Sequence, residues 1–331
     1  MKVLILGAGR MAGIRAEDLA GDPRVSELMI SNRNLIRAKE LAERHGARAV
    51  EWSEVPNLEP DAVVVAVGTD GHVEALDLVF PMKVPVLIEK PIAETVEQTQ
   101  QVIAKAAEVG VALQVGFQRR FDPNFVQVRE AIASGAIGTL YCLRIASHDH
   151  TPSAPEFIAG SGGIFRDLHV HDFDLVRWLT GSEVATVFAT KTVRLNQDYA
   201  RFDDGDVSSI SLVTESGIPV IISGTRHNPL GHDVRIEAYG SADSLSAGLN
   251  HRTPLRAVEA DLNLNADPYQ GFIDRFRESF RNETASFVAF AGGEISNPCP
   301  PEAALESLRI AAACEASVSS GQAVRVAEVA D

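Results

Sequence analysis

Two segments of the sequence combine residue types that could carry out chemistry. Asp167 and His171 are four residues apart, so on a helix both side chains would project from one face, where a carboxylate can orient an imidazole or stabilise its cation. Lys90, within Glu89-Lys90-Pro91, follows the apolar run Val86-Leu87-Ile88 and would stand at the carboxyl end of a buried strand, where ligands bind to parallel sheets. The first segment predicts a proton-handling pair, and the second predicts a cation beside a ligand.

Each segment also has a simpler interpretation that the residues alone leave open. Asp167 and His171 could form an ordinary ion pair within a helix, and Lys90 could be an exposed charge at the end of a strand. A third alternative is a zinc or iron site. Its candidate ligands are His148, Asp149, His150, His169, His171 and Asp172. Because His169 and His171 are two residues apart, their side chains would diverge on a helix, and no metal site is predicted.

Hydrophobic periodicity indicates the elements that would position these residues. In the first third of the chain, short apolar runs alternate with helical patterns, which is typical of parallel βαβ units. The predicted helices include 35–42, ended by Gly46, and 94–109, ended by Gly110. The predicted strands span residues 3–6, 27–30, 47–50, 61–67, 84–88 and 111–115. Six strands complete a doubly wound parallel sheet of the Rossmann type, which is an α/β fold.

The pattern changes near residue 121 to longer alternating runs, typical of an α+β domain. These runs, which predict a large, open and mostly antiparallel sheet, span 186–193, 207–213, 218–223 and 234–239, with a turn at Ser216-Gly217. One helix is predicted through Asp167 and His171, continuing to Leu179, and two more over 271–291 and 301–319. The predicted domains are a Rossmann dinucleotide-binding domain, 1–118, and an α+β domain for substrate binding and oligomerisation, 119–331.

A glycine-rich turn follows the first predicted strand. The run Gly7-Ala8-Gly9-Arg10-Met11-Ala12-Gly13 opens a helix, so backbone amides and the positive end of the helix dipole could meet a pyrophosphate. The alternative is a glycine-rich turn with no ligand. Its place between a strand and a helix, followed by further βαβ units, favours a dinucleotide site.

The end of the second predicted strand indicates which dinucleotide would bind. An acidic residue there would accept hydrogen bonds from the adenosine ribose of NAD, but this chain has Ser31-Asn32-Arg33-Asn34. No carboxylate would repel a 2′-phosphate, and Arg33, with Arg37 one turn later, could pair with it. NADP(H) is therefore the preferred cofactor in this prediction, with NAD(H) as the other candidate. The alternative is that both arginines are solvated at the start of a helix.

Composition narrows the class of protein. The 331 residues suffice for two domains, and a net charge of −15 disfavours nucleic acid, whose phosphates require clustered Lys and Arg. No apolar run is long enough to span a membrane, and the first one reaches Gly7 too soon for a signal peptide. Cys142, Cys299 and Cys314 lack disulfide or zinc spacing and are predicted to be reduced core thiols. These features predict a cytoplasmic protein that binds a small ligand.

Several motifs occur together and in order along the chain. They are Gly7-Ala8-Gly9-Arg10, Glu89-Lys90-Pro91, the run from Gly116 to Pro123, and Gly162-Gly163-Ile164-Phe165-Arg166-Asp167 followed by His171-Asp172-Phe173-Asp174. In this combination the chain resembles the Gfo/Idh/MocA oxidoreductases over essentially its whole length, and among them the bacterial inositol 2-dehydrogenases. The resemblance implies an NAD(P)-dependent dehydrogenase with an exposed sheet face in its C-terminal domain. Through that face the protein would form a homodimer or homotetramer.

The resemblance also implies roles for individual residues. Lys90, Asp167 and His171 would converge beside the nicotinamide between the domains. His171 would be the general base that takes the hydroxyl proton, Asp167 would orient it, and Lys90 would stabilise the developing alkoxide. The cofactor-binding residues would be Gly7, Gly9, Arg10, Met11, Ala12, Ser31, Asn32, Arg33, Arg37, Thr69, His72, Glu89 and Lys90. The substrate-binding residues would be Gln118, Arg119, Asp149, Asp167, His171 and His232.

Two departures from the inositol dehydrogenases leave the substrate open. Asn32 replaces the acidic residue of a branch that usually uses NAD, and His232 stands where those enzymes commonly have a tyrosine that faces the polyol. The predicted reaction is the reversible oxidation of a secondary hydroxyl on a cyclic polyol, aldose or sugar derivative. The alternatives are a family reductase of a keto-sugar or of another carbonyl or imine, and a non-catalytic regulator that senses the nucleotide.

Overall fold

Short runs of buried aliphatic residues form the first sheet. The computed structural model describes residues 1–259 and 261–329. Its first strands are β1 (Lys2–Leu6), β2 (Glu27–Ser31), β3 (Arg48–Val50), β4 (Ala62–Val65), β5 (Val86–Glu89) and β6 (Leu113–Gly116). Neighbouring strands are parallel, in the order β3-β2-β1-β4-β5-β6. The predicted doubly wound Rossmann sheet is confirmed, and the strand order reverses between β1 and β4, where such sheets bind ligands.

Four helices connect these strands, and their ends follow local sequence signals. They are α1 (Arg10–Ala20), α2 (Leu35–His45), α3 (His72–Val79) and α4 (Val96–Val109). The Asn34 side chain accepts a hydrogen bond from the Ile36 amide at 3.0 Å and so caps α2, and Thr95 caps α4 in the same way. Gly46 and Gly110 end these two helices with φ values of +63° and +75°, as predicted.

The second sheet is mixed, mostly antiparallel and buried on one face. Its strands are β7 (Leu140–His148), β8 (Val184–Thr192), β9 (Val207–Thr214), β10 (Pro219–Thr225), β11 (Asp233–Gly240), β12 (Ser244–Ala247) and β13 (Val324–Arg325), in the order β12-β11-β7-β10-β9-β8-β13. Among the described strands of this second sheet, only β7 and β10 pair in parallel. Val220 and Ile222 are fully buried, whereas Ile221 between them is 48% exposed. The predicted α+β architecture of this part of the chain is confirmed.

The helices of this part are α5 (Pro123–Ala133), α6 (Pro155–Gly160), α7 (Ile164–Asp167) and α8 (Val170–Thr180). The prediction of one helix through Asp167 and His171 is wrong, because α7 ends at Asp167 and α8 begins at Val170. Between them the amide of His169 bonds to the carbonyl of Ile164, five residues back, which interrupts the helical ladder. The periodicity continued across this break because buried apolar residues lie on both sides of it.

Two further helices close the chain, α9 (Phe272–Ala291), which is interrupted at Phe276, and α10 (Glu302–Ser320). Two compact units result. One comprises Met1–Phe121 with Glu278–Leu305, and the other comprises Asp122–Arg277 with the segment that begins at Glu306. The sequence analysis did not associate Glu278–Leu305 with the first unit. The functional roles assigned to the two parts of the chain stay predictions.

Two smaller predictions concern the cysteines and the membrane. Cys299 and Cys314 are buried, as predicted, and burial raises the pKa of the Cys314 thiol. Cys142 is only partly buried, so the prediction of three core thiols is wrong for this residue. It lies on β7 one residue before the buried Leu143, and successive side chains of a strand face opposite sides of the sheet. In residues 1–259 and 261–329, we find no helix with the length and apolar character needed to cross a membrane.

Candidate cofactor and catalytic sites

The turn after β1, residues 7–9, leaves the first amides of α1 open to an anion and is called the phosphate turn below. Gly7 has a φ of +125°, and a Cβ added to it would lie 2.3 Å from the carbonyl oxygen of Ala66. Its amide donates to the carbonyl of Ser31 at 2.8 Å. A Cβ added to Gly9 would meet no atom of the described residues within 4 Å. The helix then begins with Arg10, Met11 and Ala12. Because the first amides of a helix lack intrahelical acceptors, this end can accommodate a phosphate.

The residues predicted to select the cofactor follow β2. Asn32 is half-buried, and its Nδ2 donates to the carbonyl of the helix cap two residues later, at 3.1 Å. Arg33 is exposed, forms an ion pair with Glu74 and lies over the ring of Trp52, 5.9 Å from its centroid. Arg37 is exposed in the first turn of α2. A cation is therefore available at this position, but Glu74 competes for it.

Lys90 directly follows β5 and is half-buried. The preceding Glu89 accepts a hydrogen bond from Nε of the fully buried Arg15 at 2.9 Å and forms an ion pair with its Nη2 at 2.8 Å. Arg15 also pairs with Glu283 of α9 at 2.5 Å. Burial alone would lower the pKa of Arg15, but the carboxylates of Glu283 and Glu89 raise it above its usual value. This network connects the helix of the phosphate turn with the strand that ends at Lys90.

The predicted residues of the first unit lie at or after the ends of strands of one parallel sheet. Thr69 opens a short 3-10 turn after β4, and His72 begins α3, where its Nδ1 donates to the carbonyl of Pro91 at 2.8 Å. Burial lowers the pKa of His72 and so favours the neutral imidazole. Gln118 and Arg119 are buried in a 3-10 turn after β6. Because the carboxyl ends of parallel strands lie at one edge, the sheet brings these residues to the same side as the phosphate turn.

In the second unit, three strands bring polar residues to one edge of the mixed sheet. His148 at the end of β7 pairs with Thr225 at the end of β10 and with Asp233 at the start of β11. The residues beside this row are Asp149, Arg226 and His232. His232 is buried, with its Nδ1 3.4 Å from Oδ1 of Asp149 and its ring edge-on to Phe276. The edge therefore places two of the predicted substrate-binding residues against each other.

Asp167, the last residue of α7, is held by a buried arginine. Its Oδ2 accepts a hydrogen bond from Nη1 of Arg226 at 2.8 Å, and Nη2 of the same arginine lies 3.2 Å from Oδ2 of Asp204. Burial alone would lower the pKa of Arg226, but Asp167 and Asp204 raise it above its usual value. Arg226 and Asp204 were not predicted from the sequence. The available signals were the acidic segment from Asp203 to Asp206 and a charged residue three positions after the predicted strand 218–223.

His171 is half-buried in the first turn of α8, between two residues of a buried hydrogen-bond network. The His169 ring has Nδ1 2.6 Å from Oδ2 of Asp172 and Nε2 2.6 Å from Oγ of Ser208. Oδ1 of Asp172 accepts a hydrogen bond from Ser147 at 2.6 Å. This network fixes the backbone on both sides of His171. Across residues 1–259 and 261–329, no three His, Cys, Asp or Glu side chains are grouped so that they could hold a metal ion.

Comparison with known proteins gives two matches that together cover most of the chain. Residues 1–117 match the oxidoreductase family with an NAD-binding Rossmann fold, and residues 125–246 match the GFO/IDH/MocA C-terminal domain. A myo-inositol dehydrogenase of Streptomyces leeuwenhoekii is 33% identical over 329 residues, which are 97% of this chain and 98% of the relative. The chain belongs to the Gfo/Idh/MocA oxidoreductase family.

A second relative and a solved structure are also similar to this Gfo/Idh/MocA oxidoreductase over most of their length. The scyllo-inositol 2-dehydrogenase (NAD(+)) of Bacillus subtilis is 29% identical over 297 residues, 87% of this chain and 85% of the relative. The crystal structure of a myo-inositol dehydrogenase from Corynebacterium glutamicum has a TM-score of 0.89 and 32% identity, covering 98% of each chain. The prediction of a nicotinamide-dependent oxidoreductase is confirmed at the level of the family.

The first unit of this oxidoreductase fits the dinucleotide that its family binds. The space at Gly9 and the open amides of α1 suit a pyrophosphate, and no side-chain carboxylate occupies position 32. Bound there, the nicotinamide would accept or donate a hydride. The family establishes NAD binding, whereas the preference for NADP(H) stays a prediction.

Proposed function

We propose that this oxidoreductase interconverts a secondary hydroxyl and a ketone on a cyclic polyol or sugar, with a nicotinamide cofactor. One observation carries the proposal. This chain is similar over 97% of its length to a myo-inositol dehydrogenase, and its Lys90 lies at the same edge of the parallel sheet as the phosphate turn. In the same chain, Asp167 is bonded to the buried Arg226, and His171 lies between the hydrogen-bonded His169 and Asp172. Similarity indicates the substrate class, and these residues supply the charges that the reaction requires.

The proposed residues divide the chemistry between a base and a cation. His171 takes the proton of the substrate hydroxyl while the carbon that bears this hydroxyl gives up a hydride to the nicotinamide. Asp167 stabilises the resulting imidazolium and orients the ring. Lys90 donates a hydrogen bond to the oxygen as negative charge develops on it. In the reverse direction Lys90 polarises the carbonyl and His171 returns the proton.

A substrate screen tests this proposal. Inositols, common aldoses and keto-sugars are incubated with the enzyme and with NAD(H) or NADP(H), and the nicotinamide absorbance is followed. We expect turnover with at least one cyclic polyol or sugar. Oxidation of that alcohol and reduction of the corresponding ketone should both be catalysed. A protein that binds either cofactor but turns over none of these compounds would instead match a nucleotide-sensing regulator.

The cofactor preference is proposed to depend on Arg33, with NADP(H) favoured. Replacing Arg33 by alanine should lower kcat/KM for NADP(H) about tenfold and change that for NAD(H) little, because a charge-assisted bond to the 2′-phosphate is lost. Replacing Glu74 by glutamine should raise kcat/KM for NADP(H) by about two- to fivefold, since it removes the ion pair that occupies Arg33. Initial rates with both cofactors measure each change.

A matched control for this series is Arg44→Ala, which removes an exposed arginine from the last turn of α2. Its ratio of specificity constants for the two cofactors should equal that of the wild type. A wild type that favours NAD(H), together with an Arg33→Ala variant of unchanged ratio, would contradict the proposed preference.

The exposed face of the mixed sheet is proposed to form the contact of a homodimer or homotetramer. Phe188 on β8 and Ile221 on β10 are 43% and 48% exposed, and both pair with Ser211 of β9, so they lie in one row of this face. Replacing Ile221 by lysine should raise the dissociation constant of the oligomer at least about 100-fold, because the lost burial counts twice in a symmetric contact. Light scattering coupled to size exclusion measures the mass.

The control here is Val258→Lys, which introduces the same charge at a valine that is 95% exposed outside the sheet. It should leave the mass unchanged. An Ile221→Lys protein with the mass of the wild-type oligomer would place the contact elsewhere.

A further inference from the structure

Arg226 connects two carboxylates that differ in their exposure. The side chains of Arg226 and Asp204 are 1% and 2% exposed, whereas that of Asp167 is 21% exposed. The guanidinium gives one amino group to each carboxylate. Its Cζ lies over the ring of Tyr199, 5.7 Å from the centroid. The arginine therefore extends from the interior of the unit to a carboxylate that solvent and ligands can reach.

The interior carboxylate has its other oxygen fully engaged. Oδ1 of Asp204 accepts hydrogen bonds from the amides of Ile164 and Gly205, both at 2.8 Å. Ile164 is the first residue of α7, so Asp204 holds the start of the helix that ends at Asp167. A helix of four residues is not stable alone, because its nucleation cost exceeds the few bonds that it makes. Asp204 thus holds the start of α7, and its ion-pair partner Arg226 holds the end.

A buried guanidinium needs this pairing, and the pairing constrains Asp167. Removing a charge from water is unfavourable unless it is bonded, so Arg226 stays where both carboxylates meet it. The bond to Oδ2 of Asp167 in turn stabilises that negative charge and limits rotation of the carboxyl group. Rotation would leave a buried donor of Arg226 without its acceptor, which is costly.

We propose that Arg226 is a positioning residue that sets the orientation of the Asp167 carboxylate for substrate and for His171. The proposal rests on the proposed function, since it gives a purpose to the role of Asp167 there. Arg226 acts through Asp167 in this arrangement and requires no contact with substrate or cofactor. Its loss should therefore affect the use of the polyol or sugar while the affinity for the dinucleotide, which the first unit binds, is retained.

The test compares Arg226→Lys and Arg226→Gln with the wild type. Lysine keeps the buried positive charge, which protects the fold, but a single ammonium cannot reproduce the fork that meets two carboxylates. We expect kcat/KM for the best polyol or sugar to fall about 10- to 100-fold in Arg226→Lys and further in Arg226→Gln. The cofactor dissociation constant, measured by fluorescence, should stay within about twofold of the wild type.

A crystal structure of Arg226→Lys supplies a readout that does not depend on turnover. We expect the Asp167 carboxylate to be rotated from its wild-type orientation while α7 keeps its place. An unrotated carboxylate in that structure would overturn the proposal, whatever the kinetics. Arg177→Lys is the matched control, because Arg177 likewise makes two bonds to carboxylate oxygens in the same unit, both of them on Glu183. Its kcat/KM should match the wild type.

Asp167→Asn separates the two hypotheses. If this variant loses activity while Arg226→Lys keeps kcat/KM within twofold of the wild type, Asp167 has its proposed role and Arg226 does not position it. If Asp167→Asn is fully active, the role assigned to Asp167 in the proposed function is wrong. The crystal structure of Arg226→Lys then still decides whether the arginine orients the carboxylate.

Discussion

Replacing Lys90 by alanine is expected to lower kcat about 100- to 1,000-fold, the effect of removing one group that stabilises charge in the transition state. This corresponds to about 2.7–4 kcal/mol. The ammonium would meet an oxygen whose negative charge is fully developed only during the reaction, so kcat should fall more than substrate affinity. Steady-state rates with the best substrate, at saturating cofactor, measure the effect.

The fold should tolerate this change, because Lys90 is only half-buried and lies outside β5. Thermal unfolding of the variant checks this point. Lys105→Ala is a suitable control, since Lys105 is a half-exposed lysine of the same unit that pairs with Asp77 at 2.7 Å. Its kcat should equal that of the wild type. An unchanged kcat in Lys90→Ala would exclude an electrostatic role for this residue.

Replacing His171 by asparagine is expected to lower kcat by about 10²- to 10⁴-fold, the usual contribution of a general base. Asparagine is similar in size and keeps a hydrogen-bonding side chain, but it cannot take the hydroxyl proton near neutral pH. The hydrogen bonds of His169 to Asp172 and Ser208, on either side of His171, should keep α8 in place. Steady-state kinetics of polyol or sugar oxidation provide the measurement.

The control for this variant is His251→Asn, which changes an exposed histidine of the same unit. Substrate deuterated at the reacting carbon adds a second readout, because loss of the base should make the chemical step limit turnover. A full isotope effect on kcat in His171→Asn is therefore expected. Turnover within threefold of the wild type in this variant would show that another group accepts the proton.

Local patterns in the sequence were sufficient for the parallel sheet of the first unit. Most strands of its sheet contain a short run of buried aliphatic residues, and the ends of α2 follow from residues next to them, the cap Asn34 and the glycine Gly46. The phosphate turn is also local, since Gly7 and Gly9 lie within one strand-helix connection. Such features depend on interactions between near neighbours, which periodicity and residue type report directly.

In the segment with Asp167 and His171, local patterns did not predict the structure correctly. Apolar spacing continues from α7 into α8, so the pattern alone could not reveal that the helix breaks at His169. The break accompanies a hydrogen bond between Nε2 of His169 and Oγ of Ser208, which is 39 residues away. No local pattern contains that partner.

What the sequence by itself determined was the two kinds of sheet, most of the helices, the glycine-rich turn after β1, and the presence of residue types able to transfer a proton or stabilise charge. Only the tertiary structure decided the partners of those residues, such as Arg226 for Asp167 at a separation of 59 residues and Glu283 for Arg15 at 268. It also decided that Glu278–Leu305 belongs with the first unit. The physical reason is that ion pairs between distant segments depend on strand order and register, which are set by the packing of the whole sheet rather than by any single stretch of chain.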